Sequence, residues 1–149
     1  VEMFCFVEPE QAHDEHLRLL AIEESIMHDL EIPYRVVAIA VDDLGAPAAS
    51  KFDVEAWLPG QGRYRELTSC SNTTDFQARR LDVRYRPDTD PPSRPAHVAT
   101  LNGTAVAVGR TIIALLENGQ RPDGSVALPA VLAELGAPES LAPAPGLSA

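Results

Sequence analysis

The residues with chemistry to offer are few. Arg110 lies in "TLNGTAVAVGRTIIALLEN" (100–118), which reads as a helix. On a helix its neighbours three and four residues away are Val106, Ala107, Ile113 and Ala114, all apolar. A guanidinium keeps its charge, and burying one without a partner is costly. The pattern therefore asks for an anion. Asn102, Gly103 and Thr104 fall at the start of the same predicted helix, where free N–H groups and the helix dipole favour negative charge. Gly109 beside Arg110 leaves room for close approach. Glu66 and Ser69, in "RYRELTSC" (63–70), are hard oxygen donors of the kind that hold Mg²⁺ together with a nucleotide's phosphates. Glu2 and Glu55 suit an amine. Each signal has an ordinary reading too: Arg65–Glu66 as a surface ion pair, Asn102 and Thr104 as caps. No nucleophile stands beside a base, and no Gly-rich phosphate loop is present. Together these residues describe an anion or nucleotide pocket lined by Arg and Glu.

The elements that must position them are set by periodicity. Val1–Val7 is a short apolar strand. Pro9 suits a first helical position, and Leu19, Ile22, Ile26 and Leu30 make one apolar stripe on a helix from about residue 9 to 30. The opposite face carries His13, Asp14, Glu15, His16, Glu23, Glu24 and His28 and reads as solvated, not metal-binding. "YRVVAIAV" (34–41) reads as a buried strand. "FDVEAWL" (52–58) and "RYRELTSC" (63–70) alternate around the turn "PGQG", an antiparallel hairpin. Strict alternation sets Arg63 and Arg65 opposite Tyr64, Glu66 and Thr68. Residues 71–81 read as a short helix capped by Asn72, Thr73 or Thr74, 87–95 as a Pro-rich loop, and 128–135 as a last helix. Hairpins without βαβ repeats predict an α+β fold, an antiparallel β-sheet flanked by helices. From residue 136 the chain is low-complexity, and 136–149 is predicted to be disordered.

Composition narrows the classes. With 149 residues, 45% hydrophobic and 23% charged, the chain is one ordinary globular domain. A net charge of −10 argues against nucleic-acid binding by bulk electrostatics. Of the 12 basic residues only Lys51 is a lysine; arginine is the better group for phosphate and carboxylate. Cys5 and Cys70 read as buried, reduced thiols, not a disulfide framework or zinc site. No run is apolar enough for a membrane span, and a cytoplasmic location is expected. The opening "VEMFCFVEPE" begins inside a strand, which suggests a fragment whose partner strand lies upstream.

The stretches "GRYRELTSCSN", "FQARR" and "LNGTAVAVGRT" closely resemble the seryl-tRNA synthetases of the bacterial type, over residues 1 to about 135. The resemblance implies the catalytic core, in part, of a class II aminoacyl-tRNA synthetase: residues 1–135 as its C-terminal portion, from the end of motif 2 through motif 3. It implies a serine–tRNA ligase that activates L-serine with ATP to seryl-adenylate and passes it to tRNA(Ser), in a cytoplasmic homodimer. Arg110 matches the motif 3 arginine that contacts the ATP γ-phosphate. Glu66, Leu67, Thr68 and Ser69 match the ATP-binding segment, with Glu66 and Ser69 toward Mg²⁺ and Glu66 and Arg110 as the catalytic pair. Glu2, Asn102 and Thr104 match serine-binding positions; many relatives have Ser at position 104.

Motif 1, the first half of motif 2 and the coiled-coil arm that grips tRNA have no counterpart in these residues. The resemblance thus implies an activity that this chain alone does not complete. The alternative is a non-catalytic, synthetase-like paralogue acting as a binding module.

Overall fold

A computed structural model of the chain describes residues 1–89, 91 and 93–143. In chain order the elements are β1 (Glu2–Val7), α1 (Ala12–Asp29), β2 (Tyr34–Ala38), β3 (Ser50–Leu58), β4 (Arg63–Asn72), α2 (Phe76–Leu81), β5 (Arg84–Tyr85), β6 (Ala96–His97), β7 (Ala99–Thr104), α3 (Val108–Asn118), β8 (Val126–Ala127), α4 (Ala130–Glu134) and β9 (Ser140–Leu141). Five strands form one antiparallel sheet in the order β1-β7-β4-β3-β2, as expected of an α+β protein. Helices α1 and α3 cover one face. The core there joins Leu19, Leu20 and Met27 of α1, Val54, Ala56 and Leu58 of β3, Cys70 of β4, Leu101 of β7 and Ala114 of α3.

Four predicted elements differ. The predicted helix 100–118 is two elements: Ala99–Thr104 is a central strand, and the helix starts only at Val108. Ala99, Thr100 and Leu101 are all buried, and from Leu101 burial alternates, with Gly103 buried and Asn102 and Thr104 half-buried, a period of two confined to the second half of a run of small residues. Asn102, Gly103 and Thr104 therefore do not line a helix N-terminus. Next, β2 stops at Ala38 and is exposed, because it is an edge strand paired only with β3. On α1 the buried face is Ala12, His16, Leu19, Leu20, Glu23 and Met27. His16 and Glu23, expected in solvent, are in the core.

His16 is well accommodated there: its ring stacks on Phe52, Nε2 lies 3.1 Å from the Cys70 carbonyl and Nδ1 3.2 Å from Ser50 Oγ. Finally, β4 runs on to Asn72 and α2 begins at Phe76, so none of Asn72, Thr73 and Thr74 caps a helix. The Asn72 carboxamide instead accepts from the Thr74 N–H at 2.9 Å, and the Thr73 hydroxyl donates to the Thr100 carbonyl at 2.8 Å.

Smaller differences concern the thiols and the tail. Cys70 is buried but Cys5 only half so, and both are free. Within 136–149, Ser140–Leu141 pairs with Val126–Ala127; residues 144–149 lie outside the described residues.

One irregularity in the sheet decides which side chains share its open face. Val54 is opposite Thr68, but Glu55 is opposite Glu66, so Leu67 is an extra residue in β4, a β-bulge. It turns Thr68 to the helix-covered side with Val54, where Leu67 and Thr68 are both buried, and not to the side of Tyr64 and Glu66.

Candidate functional site

The sheet face away from α1 carries two transverse rows of polar residues. In one, Lys51 of β3 is opposite Ser71 of β4, Ser71 opposite Asn102 of β7, and Asn102 opposite Phe4 of β1. In the next, Asp53 is opposite Ser69, and Thr104 is opposite Glu2. Pairing through register puts directly opposed residues on one face. Glu55 and Glu66 make a third pair on the same face. Glu66 and Ser69 are three apart, and regular alternation would send them to opposite faces. The bulge at Leu67 reunites them.

The predicted residues therefore converge, though not as a helix terminus. The Thr104 hydroxyl donates to Glu2 Oε2 at 3.0 Å. Asn102 lies in the adjoining row and borders a cavity of about 340 Å³ with Lys51, Ser71, Thr73, Gln77 and Asp43. Arg110 stands in the first turn of α3, and its Nη1 reaches the sheet at β4, 3.1 Å from the Glu66 carbonyl and 3.7 Å from Glu66 Oε2. It borders a second cavity of about 300 Å³ with Arg65, Gln61, Glu66 and Leu67. Its guanidinium is not buried: the side chain is 59% exposed and its present anion is Glu66.

Glu55 does not join the site, because Arg35 holds it at 2.6 Å. The side chains of Leu67 and Thr68 face inward, so only their backbone is available to a ligand. The Thr68 hydroxyl donates to the Thr104 carbonyl and ties β4 to the end of β7.

Electrostatics adds residues that spacing alone misses. Lys51 Nζ is 2.7 Å from Asp53 Oδ1 and 3.8 Å from Glu66 Oε1. The period-two run Lys51, Asp53, Glu55 was the available signal, because it shares a face with Glu66 once the bulge is known. Beneath the rows lies Glu23, fully buried, with neither carboxyl oxygen partnered among the described residues. A Cβ on Gly103 would lie 2.8 Å from Glu23 Oε1, so glycine makes room for it. Burial pushes the Glu23 carboxyl up to about 8, and the nearby charges of Glu2 and Asp53 push the same way. Cys70 and Thr68 flank it and oppose the shift, without completing a hydrogen bond of good geometry.

Glu66 and Ser69 lie on one face of the sheet. They are two hard oxygen donors, Glu66 is exposed, and no group of three or more His, Cys, Asp or Glu is placed to hold a metal among the described residues. No helix among them is long and apolar enough to cross a membrane.

A helix-backed antiparallel sheet with a polar open face, reached by an arginine from the helix that follows β7, is the architecture of a class II synthetase core. The family model described as the tRNA synthetase class II core domain (G, H, P, S and T) matches residues 1–119, and the chain belongs to that family. Within it, the chain is similar to serine–tRNA ligases. That of Rubrobacter xylanophilus is 60% identical over 144 residues, 97% of this chain and 33% of that protein. That of Thermobifida fusca is 61% identical over 132 residues, 89% of this chain and 30% of that protein. Among solved structures, seryl-tRNA synthetase from Pyrococcus horikoshii complexed with ATP superposes with a TM-score of 0.92 at 47% identity, over 97% of this chain and 32% of that one. Cytoplasmic serine–tRNA ligase from Naegleria fowleri in complex with AMP gives 0.85 at 37% identity, over 95% and 33%. The chain thus spans about a third of the length of the relatives it matches.

Proposed function

We propose that this chain supplies part of the adenylation site of a serine–tRNA ligase, with ATP and L-serine bound side by side on the open sheet face. The observation that carries the reading is the convergence of Glu2, Thr104, Asn102, Ser69 and Glu66 on one face, with Arg110 at its border. The likeness to a synthetase complexed with ATP supports the nucleotide half.

In the reaction, an oxygen of the serine carboxylate attacks the α-phosphorus of ATP, the bond to the β-phosphate breaks, and pyrophosphate leaves with its electron pair. Seryl-adenylate then gives its acyl group to a ribose hydroxyl at the end of tRNA(Ser), releasing AMP. Little covalent work falls to the protein; its contribution is positioning and compensation of phosphate charge. Arg110 exchanges Glu66 for the γ-phosphate. Glu66 and Ser69 hold the nucleotide and its Mg²⁺, which when bound offsets the negative charge of the phosphates. Backbone groups at Leu67 and Thr68 line the same segment. Glu2 takes the serine ammonium, and Asn102 and Thr104 read its side chain. Grip on tRNA, dimerisation and a cytoplasmic setting belong to the whole protein.

The test is serine-dependent ATP–pyrophosphate exchange by the full-length protein. Arg110→Ala is expected to lower it by roughly a hundredfold or more, the scale of removing one preorganised charge-stabilising group. An unchanged rate removes Arg110 from the site. Residues 1–149 alone are expected to run near background.

A further inference from the structure

Glu66 is contacted by two cations that differ in how firmly they are held. Arg110 Nη1 lies 3.7 Å from one carboxylate oxygen and Lys51 Nζ 3.8 Å from the other. Lys51 is also bound at 2.7 Å to Asp53, so Asp53, Lys51, Glu66 and Arg110 form a line of alternating charge. The Lys51 side chain is 26% exposed, that of Arg110 59%. Lys51 is anchored on a strand paired on both sides, whereas Arg110 reaches over from a helix.

We infer that Lys51 is a positioning residue: it retains the Glu66 carboxylate on the open face and so releases Arg110 to an incoming phosphate. The inference rests on the ATP role proposed above for Glu66 and adds a residue that role did not include. Among the described residues, the cations within salt-bridge distance of Glu66 are Lys51 and Arg110. Without Lys51, Glu66 falls to Arg110 alone. The carboxylate and the triphosphate then compete for one guanidinium, and ATP binding weakens although Lys51 need not touch ATP.

The full-length protein tests this by ATP–pyrophosphate exchange. Lys51→Met should raise KM for ATP about three- to tenfold, the size of one partly screened charge interaction. The effect on kcat should be smaller, KM for serine should be unchanged, and Lys51→Arg should restore the original value. In a Glu66→Gln background, Lys51→Met should have no further effect, because its action passes through Glu66. An unchanged KM for ATP in a folded Lys51→Met variant, or the same rise with and without Glu66, overturns the inference. Lys51→Gln serves the same comparison if the Met variant does not fold. If Glu66→Gln by itself leaves KM for ATP unaltered, the proposed ATP role of Glu66 falls, and this inference with it; a Glu66 effect without a Lys51 effect removes the Lys51 inference alone.

Discussion

Glu23 is the residue whose setting is least comfortable: a carboxyl in the core, unpartnered among the described residues, under the polar rows. Its folded value of about 8 lies above the ordinary 4.5. Between those values the unfolded chain gives up the proton and the folded chain keeps it. The stability that the protonated carboxyl contributes is therefore complete below about pH 4.5 and is lost as pH rises toward 8. Glu23→Gln keeps the shape without the charge. Its melting temperature should gain on that of the unmodified chain steadily from pH 5 to pH 8; a gap independent of pH would mean that Glu23 is already ionised in the fold. His16 works on the acid side. Burial lowers its pKa from the ordinary 6.5, the Cys70 carbonyl opposes that, and the charge of His13 adds to it. The neutral ring's contribution is present above pH 6.5 and fades as pH falls through the lowered value. His16→Asn should flatten the acid limb of a stability profile, and an unaltered limb would clear His16 of that role.

At the scale of elements, Gly103 and the Leu67 bulge set the geometry. A Cβ at Gly103 would sit 2.8 Å from Glu23 Oε1 and 2.9 Å from Cys70 Cβ. Gly103→Ala should cost about 1–3 kcal/mol, the range for overpacking a core, and Glu23→Ala in the same chain should recover part of it by denaturant titration. Full additivity of the two changes would show that they do not touch.

Inserting one residue between Val54 and Glu55 gives Leu67 a partner and restores regular pairing, so Glu66 and Ser69, three apart, part to opposite faces; exchange activity of the full-length protein should fall to background with the helical signal kept. The hairpin and β1 were legible because polar and apolar residues alternate around a Pro-Gly turn. The bulge was not, since Leu67 has no local mark and its effect exists only relative to β3. Nor was β7: "ATLNGT" is too small and mixed for a period of two to outvote the helical run after it. His16 and Glu23 misled because residue type says polar while their positions, four and three residues from Leu20, say core.

For the molecule as a whole, among the described residues the sheet ends in two edge strands, β1 and β2. Phe4 and Phe6 project from β1 with ring centroids 5.1 Å apart and are about half exposed. An open edge beside exposed aromatics invites pairing with a second strand. The charge of −10 opposes self-association at low salt. Residues 1–149 should therefore associate more strongly as salt is raised, and Phe4→Lys with Phe6→Glu should suppress it in light scattering. Salt-independent association would point away from this edge. Lys51 makes the opening of the sheet measurable in another way. It is the single lysine of the chain, on a strand paired on both sides. Burial alone would lower its pKa, but the Asp53 carboxylate 2.7 Å away and the charge of Glu66 hold it above the ordinary value. A lysine-specific protease has one cleavage point here, between β2 and the rest of β3, inaccessible while the strand is paired. The rate of that single cut is a clock for how often the open face of the sheet comes apart.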